Sequence, residues 1–394
     1  MMPNRTKLLV TLGMLVTLWA IPAAAQDLQG MQIFAPADVS PYGGAASRAN
    51  LGYFFSFDGL YWSISTPKTS YIGLPPTDPE GTRTSYWGIG VFPFVSSEVQ
   101  VSGVTTGSFE ASFNPGTRVE FGRVAEDNHG WLFSTFRVHK QTEDPEYFNG
   151  VPIIFRDPFN LMQGRVLQDP DPDPDIIVIR PLPMTFEHVV VNNEVETWNV
   201  DLNLLYRTPQ FHRGGYLEFF LGPRYMEVNE DFNVIAEGGP MADSRWFTRA
   251  ENHMIGGQLG LRYFKKSFRW MLNLEGRFFA GLNRQNFKQE AVLGSQLINN
   301  RGQINYPEGW SGSTSNTALS KDEWCPGVEV RAELRYQLAR SLSLRAGWTG
   351  MWFDGIARAS NVVRYELPNM GIDASDNRQG LFIHGVTVGV DINR

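Results

Sequence analysis

Strand-length segments in which apolar and polar side chains alternate constrain this chain more than any other sequence feature. In the segment 198–206, every second residue is apolar and the residues between them are mostly polar. Only a β-strand, with its two-residue repeat, separates side chains in this way. Such a strand fits a soluble β-protein, where the apolar face meets a protein core. It also fits an outer-membrane barrel, where the apolar face meets lipid and the polar face lines the lumen.

The connections between these segments alternate between long and short. Short connections lie at 125–128, 207–215, 265–267 and 339–340, and long ones at 66–116, 140–195, 229–252, 282–327 and 354–380. Membrane barrels have this rhythm because their turns are short on the periplasmic side and their loops are long outside. The ten predicted strands are residues 51–65, 117–124, 130–139, 198–206, 216–228, 253–264, 268–281, 328–338, 341–353 and 382–392.

The pattern therefore predicts an all-β fold: a single closed antiparallel transmembrane β-barrel of 10–12 strands, with short periplasmic turns and long extracellular loops. Twelve strands would result if the first long connection contained a further hairpin, with residues 86–95 and 98–113 as its strands. Both numbers keep the alternation of connections and the even strand count that such barrels have.

The length of segment 198–206 favours the membrane setting. Eight steps of roughly 3.3 Å extend about 26 Å, and a tilt of about 40° reduces this to roughly 20 Å across the membrane, close to the ~25 Å apolar band of such barrels. Trp198 and Tyr206 would then lie at the two interfaces, where aromatic girdles are expected. Strands of soluble proteins are shorter, about 5–6 residues on average.

The first 25 residues have the features of a secretory signal peptide. Arg5 and Lys7 precede an apolar stretch from Leu8 to Ala20, and small residues lead up to Ala25. This pattern predicts cleavage after Ala25 and export. The predicted organisation is a signal peptide at 1–25, an N-terminal periplasmic segment at 26–50 and the outer-membrane β-barrel at 51–394. The expected location is the outer membrane of a bacterium, reached through the cleavable signal peptide.

Charge and cysteine content argue against several function classes. The formal net charge is -7, from 34 basic and 41 acidic residues, whereas nucleic-acid binding needs clustered Lys and Arg. Cys325 is the one cysteine, so neither an intrachain disulfide nor a zinc cluster is expected. The run Asp169–Asp175 alternates Asp with Pro and predicts a solvated acidic loop more than a Ca²⁺ site. We expect no metal and no cofactor.

Charged and amide residues on the polar faces of four predicted strands form the candidate lumen-facing set. Opposed carboxylates and guanidinium groups in a lumen could set ion selectivity through a transverse field. Alternatively, they could pair with one another and fill a narrow barrel. The set consists of Asn199, Asp201, Asn203, Arg262, Arg269, Glu275, Arg277, Glu329, Arg331, Glu333 and Arg335.

Glycine and aromatic residues recur together in several strand motifs. These are YFFSFDGLYW (53–62), GTRVEFG (116–122), LGPRY (221–225), ELRYQL (333–338), RAGW (345–348) and FDGIARA (353–359). Taken together they resemble the outer-membrane β-barrel porins of planctomycete-type genomes, over most of residues 50–394. The resemblance implies fold and location, and it carries over no activity and no binding residues. The chain departs from the usual barrel pattern at 390–394, which lacks a terminal aromatic residue.

The expected function is passive, either a porin-like conduit or a structural barrel with surface-exposed loops. The expected partners are outer-membrane lipid and the barrel-assembly machinery that inserts such proteins, and no nucleic acid. Two alternatives are a secreted soluble β-protein that binds a ligand and an outer-membrane barrel hydrolase. A hydrolase needs a nucleophile, a base and an orienting residue at one rim. The segment 309–313, with Ser311 and Ser313, fails the nucleophile-elbow pattern at its last position, and we expect no enzyme.

Overall fold

Ten long antiparallel strands make up the fold. The computed structural model describes residues 51–73, 82–89, 95–102, 104–142, 146–149, 153, 155, 163–165, 179–181, 186–211, 215–238, 243–295, 312–375 and 377–393. The predicted signal peptide, the segment 26–50 and the acidic run 169–175 lie outside these residues. The strands are β1 (Gly52–Ile64), β2 (Phe113–Val124), β3 (His129–Thr142), β4 (His188–Arg207), β5 (Gly215–Glu237), β6 (Ser244–Ser267), β7 (Trp270–Leu293), β8 (Ser313–Gln337), β9 (Leu342–Ile356) and β10 (Gln379–Asn393).

The sheet closes on itself. Each strand pairs with its neighbour in the chain, and β10 pairs with β1, from Phe54 opposite Asn393 to Ile64 opposite Ile383. The prediction of a single closed antiparallel barrel is confirmed, with ten strands. The strand number is ten rather than twelve because the hairpin in the first long connection, Thr82–Ile89 with Val95–Ser102, forms a sheet of its own. Closure leaves no open sheet edge where backbone groups would meet lipid.

Short elements lie in the connections at one end of the barrel. In the described part of the chain, no helix is long and apolar enough to cross a membrane. The short strands are Tyr71–Ile72 with Val104–Thr105, Gln163–Arg165 with Ile179–Pro181, and Glu146–Asn149, which pairs with the start of β4, and the 3-10 helices are Thr106–Ser108 and Ala359–Asn361.

The short connections all lie at the opposite end, which is the periplasmic end in barrels of this kind. The turn between β6 and β7 consists of residues 268–269 only. At the extracellular end, the predicted bounds of one long connection need a correction. Residues 229–252, predicted as a loop, belong mostly to β5 and β6, which leave only 238–243 between them.

The apolar face changes side within these extended strands, which is why the sequence pattern placed their ends too early. On β5, Phe219 and Leu221 are exposed on the outer face, whereas Val228, Phe232 and Val234 are buried on the inner face. Near Tyr225 the apolar residues therefore change from the outer face to the inner face. A single continuous apolar face ends at this point. The extended parts of β4 to β7, named the extension from here on, have the pattern of a water-exposed sheet that covers a protein core. No residue of the extended part of β8 belongs to that core.

That core lies on the inner side of the extension. The rings of Phe155, Trp246 and Tyr365 pack together, with centroids 5.6 to 5.9 Å apart. The segment after β9, which carries Tyr365, is fastened to β5 by an ion pair in which Arg358 Nε donates to Glu230 Oε2 at 2.6 Å. The connection between β9 and β10 therefore fills the inner side of the extended sheet.

Candidate functional site in the barrel interior

Below the extension, the inner faces of the strands are polar. On β4, Asp201 is 2 % exposed and Asn203 is 0 % exposed, whereas the outward residues Leu202 and Leu204 are 51 % and 74 % exposed. Polar residues thus face the interior where apolar residues face outward. The buried members of the candidate set are Asn199, Asp201, Asn203, Arg262, Glu275, Arg277, Glu329, Arg331 and Glu333, and Arg335 is half-buried nearer the periplasmic end.

Arg269 does not belong to this buried group, and its predicted place on a strand was wrong. The strand pattern ran from residue 268, but β7 begins at Trp270, and Phe268 and Arg269 form the turn from β6. Phe268 has a φ of 55°, in the left-handed region. The alternation continued through the turn because Phe268 and Trp270 are both apolar and exposed. Arg269 is half-buried at the periplasmic mouth.

Glu120, on β2, is bound from the far side of the barrel. Arg331 Nη1 on β8 donates to Glu120 Oε1 at 2.7 Å, and Arg345 Nη1 on β9 donates to Glu120 Oε2 at 3.2 Å. Neither β8 nor β9 is adjacent to β2 in the sheet. These charge-assisted hydrogen bonds therefore cross the interior, and bonds of this kind are about twice as strong as neutral ones.

Two further carboxylates join the same strands. Arg118 on β2 lies between them, since its Nε donates to Asp58 Oδ2 and its Nη2 to Glu333 Oε1, both at 2.8 Å. Glu333 also accepts from Asn273 Nδ2 at 2.9 Å, and Asp58 also accepts from Arg345. The result is a set of bonds that links β1, β2, β7, β8 and β9 through the middle of the barrel.

Charged side chains on the other side of the interior also form ion pairs and hydrogen bonds. Arg224 Nη1 on β5 donates to Glu329 Oε2 on β8 at 2.8 Å. Asp201 accepts from Asn203 Nδ2 at 2.6 Å and lies 3.5 Å from Arg277 Nη1. Further pairs are Glu275 with Arg262 and Arg277, Glu329 with Arg331, Glu218 with Arg207 and Arg262, and Asp391 with Arg335.

Sequence reasoning did not include half of these charged residues in its candidate set. The polar faces of the predicted strands 117–124 and 216–228 already contained several of them, so the same alternation could have found them. Asp58 was hidden because segment 51–65 reads as apolar on both faces. The missed residues are Asp58, Arg118, Glu120, Arg207, Glu218, Arg224, Arg345 and Asp391.

An apolar layer lies on the extracellular side of the charged residues. Trp62 and Phe136 meet edge to face with ring centroids 5.2 Å apart, and Phe279 and Phe353 do so at 6.0 Å. Met226, Met254, Leu381 and Ile383 also belong to this cluster, and all of its members are buried. Arg224 connects the two layers, because its guanidinium carbon lies 5.4 Å from the centre of the Phe353 ring.

The two serines weighed for a hydrolase, Ser311 and Ser313, are only partly covered by the part of the chain that can be described. Ser311 lies outside it, and Ser313 Oγ at the start of β8 donates to Asn369 Oδ1 at 3.1 Å. Among the described residues, no group of three or more His, Cys, Asp or Glu side chains could hold a metal ion. Cys325 is buried in the apolar layer.

A closed antiparallel barrel with an apolar outer belt and a polar interior defines the chain as an outer-membrane β-barrel protein. More particularly, the chain belongs to the family described as "Putative beta barrel porin-7 (BBP7)", whose model matches residues 98–393. This confirms the resemblance of its strand motifs to barrel porins. None of the curated proteins matches the chain.

The chain is also similar, at very low sequence identity, to several solved structures. The outer membrane protease OmpT from Escherichia coli is 7% identical, with a TM-score of 0.38, over 89% of this chain and 99% of that chain. A deltaS2 mutant of the TodX monoaromatic hydrocarbon channel is 9% identical, with a TM-score of 0.25, over 90% and 93%. A FadL homologue from Pseudomonas aeruginosa is 7% identical, with a TM-score of 0.22, over 92% and 95%. Likenesses this distant carry no argument about function.

Proposed function

We propose that this protein is a sealed outer-membrane barrel that supports its extracellular sheet, and that it is not an open diffusion pore. The pairing of charges across the interior carries the proposal. Eight carboxylates meet eight guanidinium groups there, and each of the sixteen groups has an oppositely charged partner. The carboxylates are Asp58, Glu120, Asp201, Glu218, Glu275, Glu329, Glu333 and Asp391, and the guanidinium groups are Arg118, Arg207, Arg224, Arg262, Arg277, Arg331, Arg335 and Arg345.

Pairing at contact distance opposes conduction for two reasons. A transverse field that selects ions needs opposite charges on separate walls with water between them. Here Arg331 and Glu120 are in direct contact, with 2.7 Å between Nη1 and Oε1, and both side chains are almost fully buried. In addition, breaking a buried pair leaves an uncompensated charge, which costs roughly 3–5 kcal/mol. Opening a path would require several such pairs to separate together.

The apolar layer above the charges supports the same conclusion. Trp62, Phe136, Phe279 and Phe353 are at most 2 % exposed. Hydrophobic constrictions in channels block ions because water leaves them, and this one is filled with side chains. Two different barriers therefore lie in series along the barrel axis.

The outer belt supports outer-membrane lipid as the partner of the barrel wall. Leu204, Leu221, Ile255 and Val388 are between 62 % and 74 % exposed on its outer face. The proposal assigns no catalytic activity to the chain. Insertion by the barrel-assembly machinery, export through cleavage after Ala25 and the absence of a cofactor remain predictions from the sequence.

Electrical recording from folded protein in planar bilayers tests the proposal. Wild-type protein whose folding is verified by heat-modifiable migration should add no stepwise conductance, while an open porin inserted in parallel gives regular steps. Efflux of a small sugar from proteoliposomes should likewise equal that of empty vesicles. Reproducible ohmic steps from the wild-type protein would contradict the sealed barrel. They would instead support a passive conduit as the function.

A further inference from the structure

A small cavity opens at the periplasmic mouth of the barrel, and some of the paired charges line its inner wall. It has a volume of about 60 Å³. Its rim is formed by the periplasmic end of β6 and by the turns after β6 and β8. Three cationic residues of this rim line it: Lys266, Arg269 and Arg340. Lys266 points inward because it continues the inner face of β6, which carries Arg262 and Phe264, whereas Lys265 lies on the outer face.

The carboxylates that line this cavity are already neutralised. Glu218 accepts from Arg207 Nη2 at 2.6 Å, Asp391 lies 2.7 Å from Arg335 Nη1, and Glu120 is bound by the deeper arginines. In the part of the chain that the structure describes, no carboxylate lies within 4.0 Å of the charged nitrogens of Lys266, Arg269 or Arg340. The mouth therefore has a positive excess, unlike the balanced interior above it.

Gln337 and the ring of Phe264 hold the rim in place. Gln337, at the end of β8, donates from its backbone N to Arg269 O at 2.8 Å and from its side-chain Nε2 to Arg340 O at 3.1 Å. These bonds fix the two arginine-bearing turns relative to each other. The ring of Phe264 lies 5.8 Å from the Arg262 guanidinium and 5.5 Å from that of Arg335. Arg335 Nε is buried and has no hydrogen-bond partner among the described residues.

We propose that this mouth is a binding site for a small oxyanion from the periplasm, of the size and charge of phosphate or sulfate. Guanidinium and ammonium groups bind such anions through charge-assisted hydrogen bonds. Lys266, Arg269 and Arg340 supply the surplus donors at the rim of the cavity. The anion is either free in solution or the terminal group of a larger molecule, since the cavity is open to the periplasmic side.

Calorimetric titration of the folded full-length chain in detergent with inorganic phosphate and sulfate tests this site, at constant ionic strength maintained with chloride. We expect saturable binding of at least one of the two anions. Lys266→Gln and Arg269→Gln should each weaken it about tenfold, the loss expected for one charge-assisted hydrogen bond. Lys265→Gln is the matched control, because it removes the same charge from the adjacent outward-facing residue, and its affinity should be unchanged.

Two results would overturn the proposal. One is the absence of saturable heat with either anion. The other is an equal loss of affinity in Lys265→Gln, which would indicate diffuse attraction to a cationic end of the barrel. Titration with glycerol phosphate then distinguishes the source of the anion: binding as tight as that of inorganic phosphate indicates a phosphate carried on a larger molecule, and much weaker binding indicates the free anion. Paired charges line part of the cavity, but Lys266, Arg269 and Arg340 take no part in those pairs. A conducting lumen would therefore not by itself exclude the anion site.

Discussion

Glu120 shows how much of the interior depends on a single side chain. It receives hydrogen bonds from Arg331 and Arg345 across the barrel and from Ser56 Oγ at 3.4 Å on the neighbouring strand. A buried ion pair contributes little net stability compared with an apolar pair, yet removing one partner is strongly destabilising. The reason is that the remaining charge then lies in an interior that cannot solvate it.

Removing the Glu120 carboxylate should therefore destabilise the whole barrel. We expect Glu120→Ala to lower the free energy of unfolding by about 3–5 kcal/mol, measured by urea unfolding in detergent or lipid. Glu126→Ala is the control, since Glu126 is an exposed acid in the turn between β2 and β3, and surface changes of this kind stay within about 0.5 kcal/mol. Equal unfolding midpoints for the two variants would contradict a network centred on Glu120.

Residues also show where sequence reasoning succeeds and where it fails. Asp201, Glu329 and Arg331 were predicted on the polar face and are buried in the structure, because alternation alone decides on which face of a strand a residue lies. Their partners were not predictable, since Arg331 and Glu120 are 211 residues apart and their contact depends on how the barrel closes. Arg269 was misplaced because a two-residue turn between apolar neighbours does not interrupt the alternation.

At the scale of single strands, the inner and outer faces exchange character at the membrane boundary. On β4 the outward residues change from Leu202 and Val200 to Glu196 and Glu194, while the inward ones change from Asp201 to Val195 and Val191. Alternation was therefore a sufficient signal for most of the strands, with segment 51–65 apolar on both faces as an exception, and it was insufficient for their length. The extension would have been predicted if two consecutive segments had been read as one strand, the apolar residues lying on one face in the first segment and on the other face in the second.

Truncation of Phe232 should separate the extension from the barrel. Phe232 is fully buried on the inner face of β5 in the extracellular core, and we expect Phe232→Ala to cost about 3–5 kcal/mol through the cavity it leaves. Limited proteolysis should then cut the extracellular part faster, while heat-modifiable migration of the barrel remains. Asn233→Ala, on the outer face of the same strand, should behave as wild type. Loss of heat modifiability in Phe232→Ala would show that barrel and extension fold as one unit.

The connection between β9 and β10 gives the extension a predicted response to high pH. Burial raises the pKa of Tyr365 well above its usual range. A group whose pKa is raised on folding stabilises the folded state fully below its unfolded pKa, here about 10, and this stability is lost as the pH rises beyond it. The extracellular core should therefore loosen above pH ~10.

Proteolysis of the extracellular part between pH 8 and 11, with a protease active over that range, measures this response. Cleavage of the wild-type protein should accelerate above pH ~10, and Tyr365→Phe should remove most of the acceleration because phenylalanine has no proton to lose. At pH 8 the two proteins should be cut at similar rates. An identical alkaline profile for both would assign the loosening to other groups.

At the scale of the whole molecule, the rhythm of connections and the closed sheet are two aspects of one constraint. An antiparallel barrel with both ends of the chain on one side must have an even number of strands, and its connections must alternate between the two ends. The sequence carried that information in its spacing, so the architecture was predictable. The seal was not, because it depends on which side chains meet across a closed barrel, and both an ion-selective lumen and a filled one agreed with the same residues.

Two barriers in series make a specific prediction about conduction. Glu120→Ala with Arg331→Ala removes both members of a central pair, which leaves no new unpaired charge from that pair and costs less stability than either change alone. Phe279→Ala with Phe353→Ala opens the apolar layer above it. Each double variant keeps one layer intact and should remain silent in planar bilayers, whereas the fourfold variant should show stepwise currents of small ions. Folding of all three is checked by heat-modifiable migration.

The order of these results identifies which layer seals the barrel. Currents in the charge-pair variant alone would mean that the aromatic layer leaves a path for ions, and that the paired charges are the single gate. Currents in the aromatic variant alone would mean that ions pass between the paired charges. Silence in a folded fourfold variant would place the barrier elsewhere, with the connection between β9 and β10 as the next segment to remove, since it fills the inner side of the extension. Only currents confined to the fourfold variant agree with two independent seals, because a path through layers in series opens when both have been removed.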